Sequence, residues 1–161
     1  MVVEFITANG SWIGNFEEGS SALRIAEVHP NGVDAIVVAN GIFWVVTGET
    51  RTANVLLSDT DAIIPVKEDP VGWIFSWQGL ALARYCWEGL VWHTRRLSWD
   101  GIQNLSVDQS ILNGEAWSPV DTCWYPFTVD INTGRSVGGS YFEKDLENWE
   151  VLNLKRQSAA G

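Results

Sequence analysis

Histidine and cysteine, from which many catalytic and metal sites are built, are scarce in this chain. Its 161 residues include two of each: His29 and His93, Cys86 and Cys123. Three-histidine and His–Cys metal sites cannot be assembled from so few ligands at a convincing spacing. The sequence also lacks the short patterns of phosphate loops, zinc peptidases and serine hydrolases. We therefore predict no metal site, no cofactor and no catalytic residue; an enzyme of unrecognised type is the alternative that these absences leave open.

Positive charge is scarce as well. Ten lysines and arginines stand against twenty aspartates and glutamates, which gives a formal net charge of −10. Nucleic acids and anionic membranes repel such a protein. The compact basic group Arg95–Arg96, with Arg84 nearby in sequence, is too small for a phosphate-binding stripe. We expect no nucleic acid and no membrane among the partners. The negative charge serves solubility, or it forms an acidic face that docks on a basic protein.

Long apolar runs are missing too. No stretch of 18 apolar residues occurs, so the sequence predicts no membrane span. The first ten residues, MVVEFITANG, contain neither the basic region nor the long apolar region of a signal peptide. We therefore expect a cytoplasmic protein in which Cys86 and Cys123 are free and buried, because cytoplasmic thiols stay reduced and free cysteines are usually buried. A disulfide between the two is the alternative.

Helical periodicity is nearly absent before residue 140. Short runs of β-branched and aromatic residues alternate with glycine, asparagine, aspartate or proline, which is typical of strands and turns. Asn40-Gly41 stands between two apolar runs and is the strongest short hairpin signal. The predicted strands cover residues 2–6, 12–16, 23–28, 34–39, 42–47, 54–57, 62–66, 72–77, 81–87, 90–95, 102–107, 111–117, 124–131 and 136–141.

The apolar pattern also predicts how these strands pack. Residues 35–39 and 42–46 are apolar throughout, so we expect both faces of those strands to be covered. Packed sheets or a closed barrel would cover them. We predict one all-β, antiparallel domain over residues 1–161, built as a two-sheet sandwich or an open barrel. Propeller-like blades are the alternative.

The C-terminal tail has a different pattern. Ser140 to Glu143 resembles a capping box, and Phe142, Leu146 and Trp149 follow at helical spacing. This pattern predicts a short C-terminal helix. A last strand over residues 149–154 is the alternative.

The ten tryptophans are the most unusual feature of the composition. Each can bury roughly 150–250 Å², so we expect most of them in the core or at sheet edges and some at the surface. A surface tryptophan is a candidate contact for a sugar, a peptide or a partner protein. They are Trp12, Trp44, Trp73, Trp77, Trp87, Trp92, Trp99, Trp117, Trp124 and Trp149.

The densest grouping of functional residue types lies in the C-terminal half. It covers residues 89–141 and contains Trp92-His93-Thr94-Arg95-Arg96-Leu97-Ser98-Trp99-Asp100-Gly101, then Gly114-Glu115-Ala116-Trp117, then residues 126–134 and finally Gly138-Gly139-Ser140-Tyr141. This half resembles a family of uncharacterised bacterial β-rich proteins with the pattern W-x-T-x-R-L-S-x-D-G, then G-x-x-W, then F-x-V-D-x-x-T-G-x-x-x-G-G. The resemblance implies a bacterial origin and a β fold, and it carries no activity.

Residues 92–101 form the candidate binding site. On an extended strand His93 and Arg95 share one face, and Arg95 could hold a carboxylate of the ligand with two parallel N–H groups. Alternatively, the arginines pair with Asp100 or Glu88 and stack on Trp99, which stabilises the turn. The candidate ligand- or partner-binding residues are Trp92, His93, Arg95, Arg96, Trp99 and Asp100.

These observations favour a non-enzymatic protein-interaction module, such as an acidic inhibitor or an immunity-type partner, whose partner is another protein. Binding of a carbohydrate or small ligand through surface tryptophans is the first alternative, and an unrecognised enzyme is the second. The three classes differ in structure. An inhibitor needs a flat or convex acidic patch with exposed aromatic residues, a ligand binder needs an aromatic-lined concavity, and an enzyme needs a cleft with a perturbed acid or base.

Overall fold

Strands make up all the regular structure in the described part of the chain. The computed structural model describes residues 1–29, 31–67, 70–86 and 88–142, and it is 59% strand with no helix in these ranges. All the predicted strands are present, with ends within three residues of their expected positions. They are β1 (Val2–Thr7), β2 (Gly10–Asn15), β3 (Arg24–Val28), β4 (Asp34–Ala39), β5 (Ile42–Thr47), β6 (Thr52–Leu57), β7 (Ile63–Val66), β8 (Gly72–Trp77), β9 (Ala81–Cys86), β10 (Gly89–His93), β11 (Ile102–Asp108), β12 (Ile111–Ser118), β13 (Cys123–Asp130) and β14 (Ser136–Gly138).

The turn between β4 and β5 shows how local sequence sets the strand ends. Ala39 pairs with Ile42 directly across this turn. The two residues between them, Asn40 and Gly41, both have positive φ, at 49° and 92°. A two-residue type I′ turn requires that conformation, and asparagine and glycine reach it with the least strain. The hairpin predicted from this dipeptide is confirmed.

The strands form four antiparallel sheets, and each strand pairs with its neighbours in the chain. The first, which we call the hairpin sheet, contains β1 and β2. The other three are four-stranded meanders, which we call the second, third and fourth sheets: β3-β4-β5-β6, β7-β8-β9-β10 and β11-β12-β13-β14. None of the four closes into a barrel. The all-β antiparallel fold is thus confirmed, with four sheets in place of the two expected.

The sheets pack face to face in chain order, as in a sandwich with additional layers. One buried cluster, which includes Phe16 and Val37, joins the hairpin sheet to the second sheet. A second cluster, around Phe43 and Phe75, joins the second sheet to the third. A third cluster, which includes Leu82, joins the third sheet to the fourth. Four-stranded meanders packed in series are also the units from which propellers are built.

This layering explains the strands that are apolar throughout. In β4, Ile36 and Val38 belong to the cluster against the third sheet, whereas Val37 and Ala39 belong to the cluster against the hairpin sheet. All four are fully buried. Because successive side chains point to opposite faces of a strand, a strand in a middle layer needs apolar residues at every position. The expectation that both faces of β4 are covered is therefore confirmed.

Two expectations need correction or fall outside the described residues. Both cysteines are free, but only Cys86 is buried; Cys123 is half-buried at the start of β13. It differs because β13 begins where β12 ends, at the margin of the core. The helix predicted after Ser140 and the alternative strand over residues 149–154 lie beyond residue 142, outside the described part of the chain.

Among the described residues, no helix has the length and apolar character needed to cross a membrane.

Candidate functional sites

The six residues predicted as a site lie at the end of β10 and in the segment after it, and Trp92 has a core position. Its indole is 9% exposed and packs in the cluster between the third and fourth sheets. Its Nε1 donates a hydrogen bond to the carbonyl of Ile131 at 2.9 Å. His93 follows as the last residue of β10 and is exposed, with Nδ1 at 3.1 Å from the carbonyl oxygen of Thr94. The strand alternation predicted for residues 92–95 is present, with Trp92 and Thr94 buried.

Both arginines of the predicted site donate to backbone carbonyls of the chain itself. The exposed Arg95 reaches Gly138 at 2.7 Å and Tyr141 at 3.1 Å, so it links the end of β10 to the end of β14. The half-buried Arg96 donates to the carbonyls of Ser98 and Trp99, each at 2.9 Å. Carbonyl oxygens therefore take the place of the carboxylates that the sequence analysis considered as partners.

Aromatic rings complete the environment of Arg96. Its guanidinium carbon lies 4.5 Å from the centre of the Tyr141 ring and 5.5 Å from that of Trp99. The two rings meet edge to face at 5.0 Å. This stacking of an arginine on Trp99 agrees with the alternative in which the arginines stabilise the turn. Asp100 is exposed in the adjoining turn, and within the described ranges it forms no ion pair with either arginine.

A buried arginine of the third sheet also donates hydrogen bonds to backbone carbonyls near this region. Arg84 in β9 is 1% exposed. It donates to the carbonyl of Ile131 at 2.7 Å and to that of Pro70 at 2.8 Å. The carbonyl of Ile131 thus accepts from both Arg84 and Trp92, and this shared acceptor joins the third sheet to the turn after β13. Sequence analysis noted Arg84 for its charge and had no signal for its burial.

Two ionisable groups with perturbed pKa values line one small cavity of about 190 Å³ between the second and third sheets. Burial is the main cause that lowers the pKa of His29 there, and burial also raises the pKa of Tyr85. Burial, followed by the nearby charge of Asp59, raises the pKa of Asp61. Hydrogen bonds with Cys123 and then Asp121 raise the pKa of the half-buried Tyr125. In the residues that the structure describes, no three His, Cys, Asp or Glu side chains are grouped so that they could hold a metal ion.

Two concavities flank the hairpin sheet where it crosses the second sheet. The first, which we call the cationic cavity, has a volume of about 410 Å³ and lies between β2 and the β5–β6 hairpin. Arg51 is the one charged residue in its lining, and Phe16, Trp12 and Trp44 give it aromatic walls. The whole lining consists of Trp12, Ile13, Gly14, Asn15, Phe16, Trp44, Arg51 and Ala53.

Hydrogen-bonding groups of the residues that line the cationic cavity are unpaired. The Nε1 atoms of Trp12 and Trp44 are buried and have no hydrogen-bond partner in the described part of the chain. The exposed guanidinium of Arg51 forms no hydrogen bond or ion pair with the described residues. Trp12 stacks on Phe5 with ring centres 4.2 Å apart, and Trp44 meets Phe16 edge to face. The rings are therefore held by packing while their N–H groups lack acceptors.

The second concavity, which we call the acidic groove, has a volume of about 460 Å³ and runs between β1 and strands β3 and β4. Its charged residues are Glu4, Glu27 and Asp34, and no lysine or arginine lines it. Apolar side chains at its border are strongly exposed: Ile6 is 83% and Val28 is 71% accessible. The groove therefore combines negative charge with uncovered apolar surface.

The edge of β1 that borders the acidic groove has unpaired backbone groups. Met1 and Phe16 exchange hydrogen bonds in both directions, at 2.7 and 2.8 Å, so Met1 faces β2. Successive residues of an antiparallel strand direct their backbone groups to alternate sides. The N–H and C=O groups of Val2, Glu4 and Ile6 therefore point away from β2, toward an edge of β1 that pairs with no other strand among the described residues.

Sequence analysis did not single out either concavity. Trp12 and Trp44 appeared among the ten tryptophans with nothing in their local sequence to distinguish them. One available signal was Arg51, which with Arg24 provides the only lysine or arginine in the first 66 positions of the sequence. An isolated arginine in an acidic segment is only weak evidence of a binding site, because its role depends on which residues the fold places around it.

In comparisons with known proteins, no family model, no curated protein sequence and no solved structure matches the chain.

Proposed function

We propose that this chain is a non-enzymatic protein-interaction module that binds an extended segment of a partner protein as an additional strand beside β1. The observation that carries the proposal is the coincidence of an unpaired strand edge with the acidic groove. Strand addition of this kind takes affinity from main-chain hydrogen bonds and specificity from alternating side-chain pockets.

Sheet architecture supports an added strand at this place. The second, third and fourth sheets each have four strands, whereas the hairpin sheet has two. The groove beside β1 lies over β3 and β4, so this part of the second sheet lacks the cover that the hairpin provides elsewhere. An incoming strand would pair with the backbone of Val2, Glu4 and Ile6 and cover that surface.

Charge and exposed apolar area define the chemistry of the partner segment. Three acidic residues and no lysine or arginine line the groove, so a segment with lysine or arginine is favoured by electrostatic complementarity. Val28 and Val33 are 71% and 65% exposed and would be covered by apolar side chains of the incoming strand. The partner segment should therefore alternate apolar with basic residues.

The proposal can be tested with linear peptides selected from a random displayed library against the whole protein. We expect the selected peptides to alternate apolar and basic residues and to protect the amide protons of Val2, Glu4 and Ile6 from exchange. Glu4→Pro removes a donor from the free edge without breaking a β1–β2 hydrogen bond, so it should abolish binding. Glu4→Gln, which keeps the donor and removes the charge, should weaken binding less.

Ile13→Pro is the matched control. Ile13 lies directly opposite Glu4, and its N–H points away from β1 toward the other edge of the hairpin sheet. This variant should bind the selected peptides like the unmodified protein. Failure to select any peptide, or equal binding by the Glu4→Pro and Ile13→Pro variants, would overturn the proposal.

A further inference from the structure

The cationic cavity lies at the β2 edge of the hairpin sheet, whereas the acidic groove lies at the β1 edge, and the charged residues that line the two concavities have opposite signs. Its lining contains one arginine and no carboxylate, in a protein whose formal net charge is −10. Its volume of about 410 Å³ falls within the range of roughly 300–1,000 Å³ that small-molecule sites occupy. Since most of the protein surface repels anions, this local exception points to an anionic ligand.

The two indoles of the cavity wall have donors that the described residues leave unpaired. The Nε1 atoms of Trp12 and Trp44 are buried and have no acceptor among the described residues, and buried donors without acceptors are costly in folded proteins. Because these atoms have no accessible surface, a ligand in the cavity contacts the indole rings and not the N–H groups. The wall therefore provides apolar ring surface, and Arg51 provides the charge and the hydrogen-bond donors.

The aromatic wall defines the body of the ligand. Trp12 and Trp44 are held by ring contacts with Phe5 and Phe16, so the wall is rigid before the ligand arrives. Rigid aromatic surfaces favour planar apolar groups, which they contact by stacking or edge-to-face packing. The single guanidinium of Arg51 matches the single charge of a carboxylate and can hold its two oxygens in parallel.

We propose that the cationic cavity is a binding site for a small planar aromatic carboxylate. Arg51 holds the carboxylate at the rim, and the aromatic wall of Trp12, Trp44 and Phe16 contacts the ring. This site is independent of strand addition at β1, since it is formed by β2 and the β5–β6 hairpin.

A pair of probes that differ in charge alone tests the site: a naphthalene carboxylate and the corresponding naphthalene carboxamide. Calorimetry should show saturable binding of the carboxylate by the unmodified protein and binding of the carboxamide weaker by about tenfold or more, or about 1.4 kcal/mol. Arg51→Gln should reduce carboxylate binding to the level of the carboxamide. Arg135→Gln, at an exposed arginine of the turn before β14, is the matched control and should leave binding unchanged.

The indole resonances provide a second, independent measurement. The N–H resonances of Trp12 and Trp44, identified by their loss in Trp12→Phe and Trp44→Phe, should shift as the ring of the carboxylate packs against the two indoles, whereas that of the exposed Trp124 should not. The Trp44→Phe variant should bind more weakly while keeping its preference for the charged probe. Absence of saturable carboxylate binding, equal binding of the two probes, no effect of Arg51→Gln, or tighter binding of naphthyl phosphate than of the carboxylate would overturn the assignment.

Discussion

Two tryptophan-containing regions of this chain differ in how completely their polar groups are already satisfied. In residues 92–101 the indole of Trp92 and both arginine side chains donate to backbone carbonyls. Around the hairpin sheet, the described residues provide no acceptor for the indoles of Trp12 and Trp44 and no partner strand for one edge of β1. The first region uses its hydrogen-bonding capacity to hold sheets together, whereas the second still has capacity for a ligand or a partner.

The difference teaches that a dense group of functional residue types in a sequence does not by itself identify a binding site. Arginine, tryptophan and histidine side chains that lie near each other can bind a ligand, but they can equally well hold segments of irregular backbone together. Their donors stand at the end of long side chains and reach carbonyl groups that the strands leave unpaired. What separates the two uses is whether acceptors of the same chain already occupy the donors. Substitutions at these residues test whether the two regions differ in this way, and the expected loss of unfolding free energy decreases from Arg84→Ala to His29→Gln.

Arg84→Ala should have the largest effect. It removes the donor to the carbonyls of Ile131 and Pro70 in the buried interior. Hydrogen bonds to a charged group contribute about 1.5–3 kcal/mol each, so the free energy of unfolding in urea should fall by about 3 kcal/mol or more. Arg135→Ala, at an exposed arginine, should change it by no more than about 0.5 kcal/mol. Similar losses in the two variants would contradict the structural role given to Arg84.

Trp92→Phe and Trp44→Phe make the same chemical change at a satisfied and an unsatisfied indole. In Trp92→Phe the bond to Ile131 is lost and a buried space is left, so unfolding free energy should fall by about 1–3 kcal/mol. In Trp44→Phe the removal of an unpaired donor offsets the lost ring area, so the change should be below about 1 kcal/mol. If Trp44→Phe were the more destabilising variant, the comparison between the two regions would fail.

Arg95→Ala and Arg51→Ala repeat the comparison at two exposed arginines. Arg95 bonds the carbonyls of Gly138 and Tyr141, so its loss should lower the free energy of unfolding by about 1 kcal/mol. Arg51 has no such contacts within the described residues, and its loss should be almost neutral, within about 0.5 kcal/mol. Denaturant titration of both variants measures this directly, and a neutral Arg95→Ala would remove that side chain from the structural account.

The smallest expected effect is a pH dependence at His29. Burial lowers the pKa of His29 in the folded chain, so the unfolded chain binds its proton more readily. The stability that neutral His29 provides is complete above the unfolded pKa of about 6.5 and is lost as the pH falls from there toward the lower folded pKa. His29→Gln should therefore lose less unfolding free energy than the unmodified protein between about pH 7.5 and about pH 5.

Neighbouring charges set the control for that measurement. Ionisable residues that line the same small cavity are Asp34, Tyr85, Cys86 and Glu88. They are common to both proteins, as is Asp61, whose raised pKa gives a stability change of opposite sign on acidification. The difference between the two proteins therefore isolates His29. Parallel pH profiles would mean that its proton is bound equally in the folded and unfolded chains.

Much of the fold could be read from local sequence, and the candidate sites could not. Strand positions follow from alternation and turn residues a few positions apart, as at Asn40-Gly41, whose conformation is fixed by its own chemistry. The sites depend on residues far apart in the chain: Trp92 finds its acceptor 39 positions away, at Ile131. Sequence reasoning assigned Trp92 to a site because it could see the donor and had no means of seeing the acceptor.

The sequence by itself determined the all-β class, the places of the strands and the burial of β4 on both faces, because these depend on short-range backbone preference and side-chain alternation. The tertiary structure alone decided that the sheets number four, that Arg84 is buried and that Trp12 and Trp44 share one cavity with Arg51. Those outcomes depend on how segments that are distant in the chain pack together and on which donors then lie near acceptors. Local sequence does not determine this, since the indole N–H of Trp92 has an acceptor and that of Trp44 has none among the described residues.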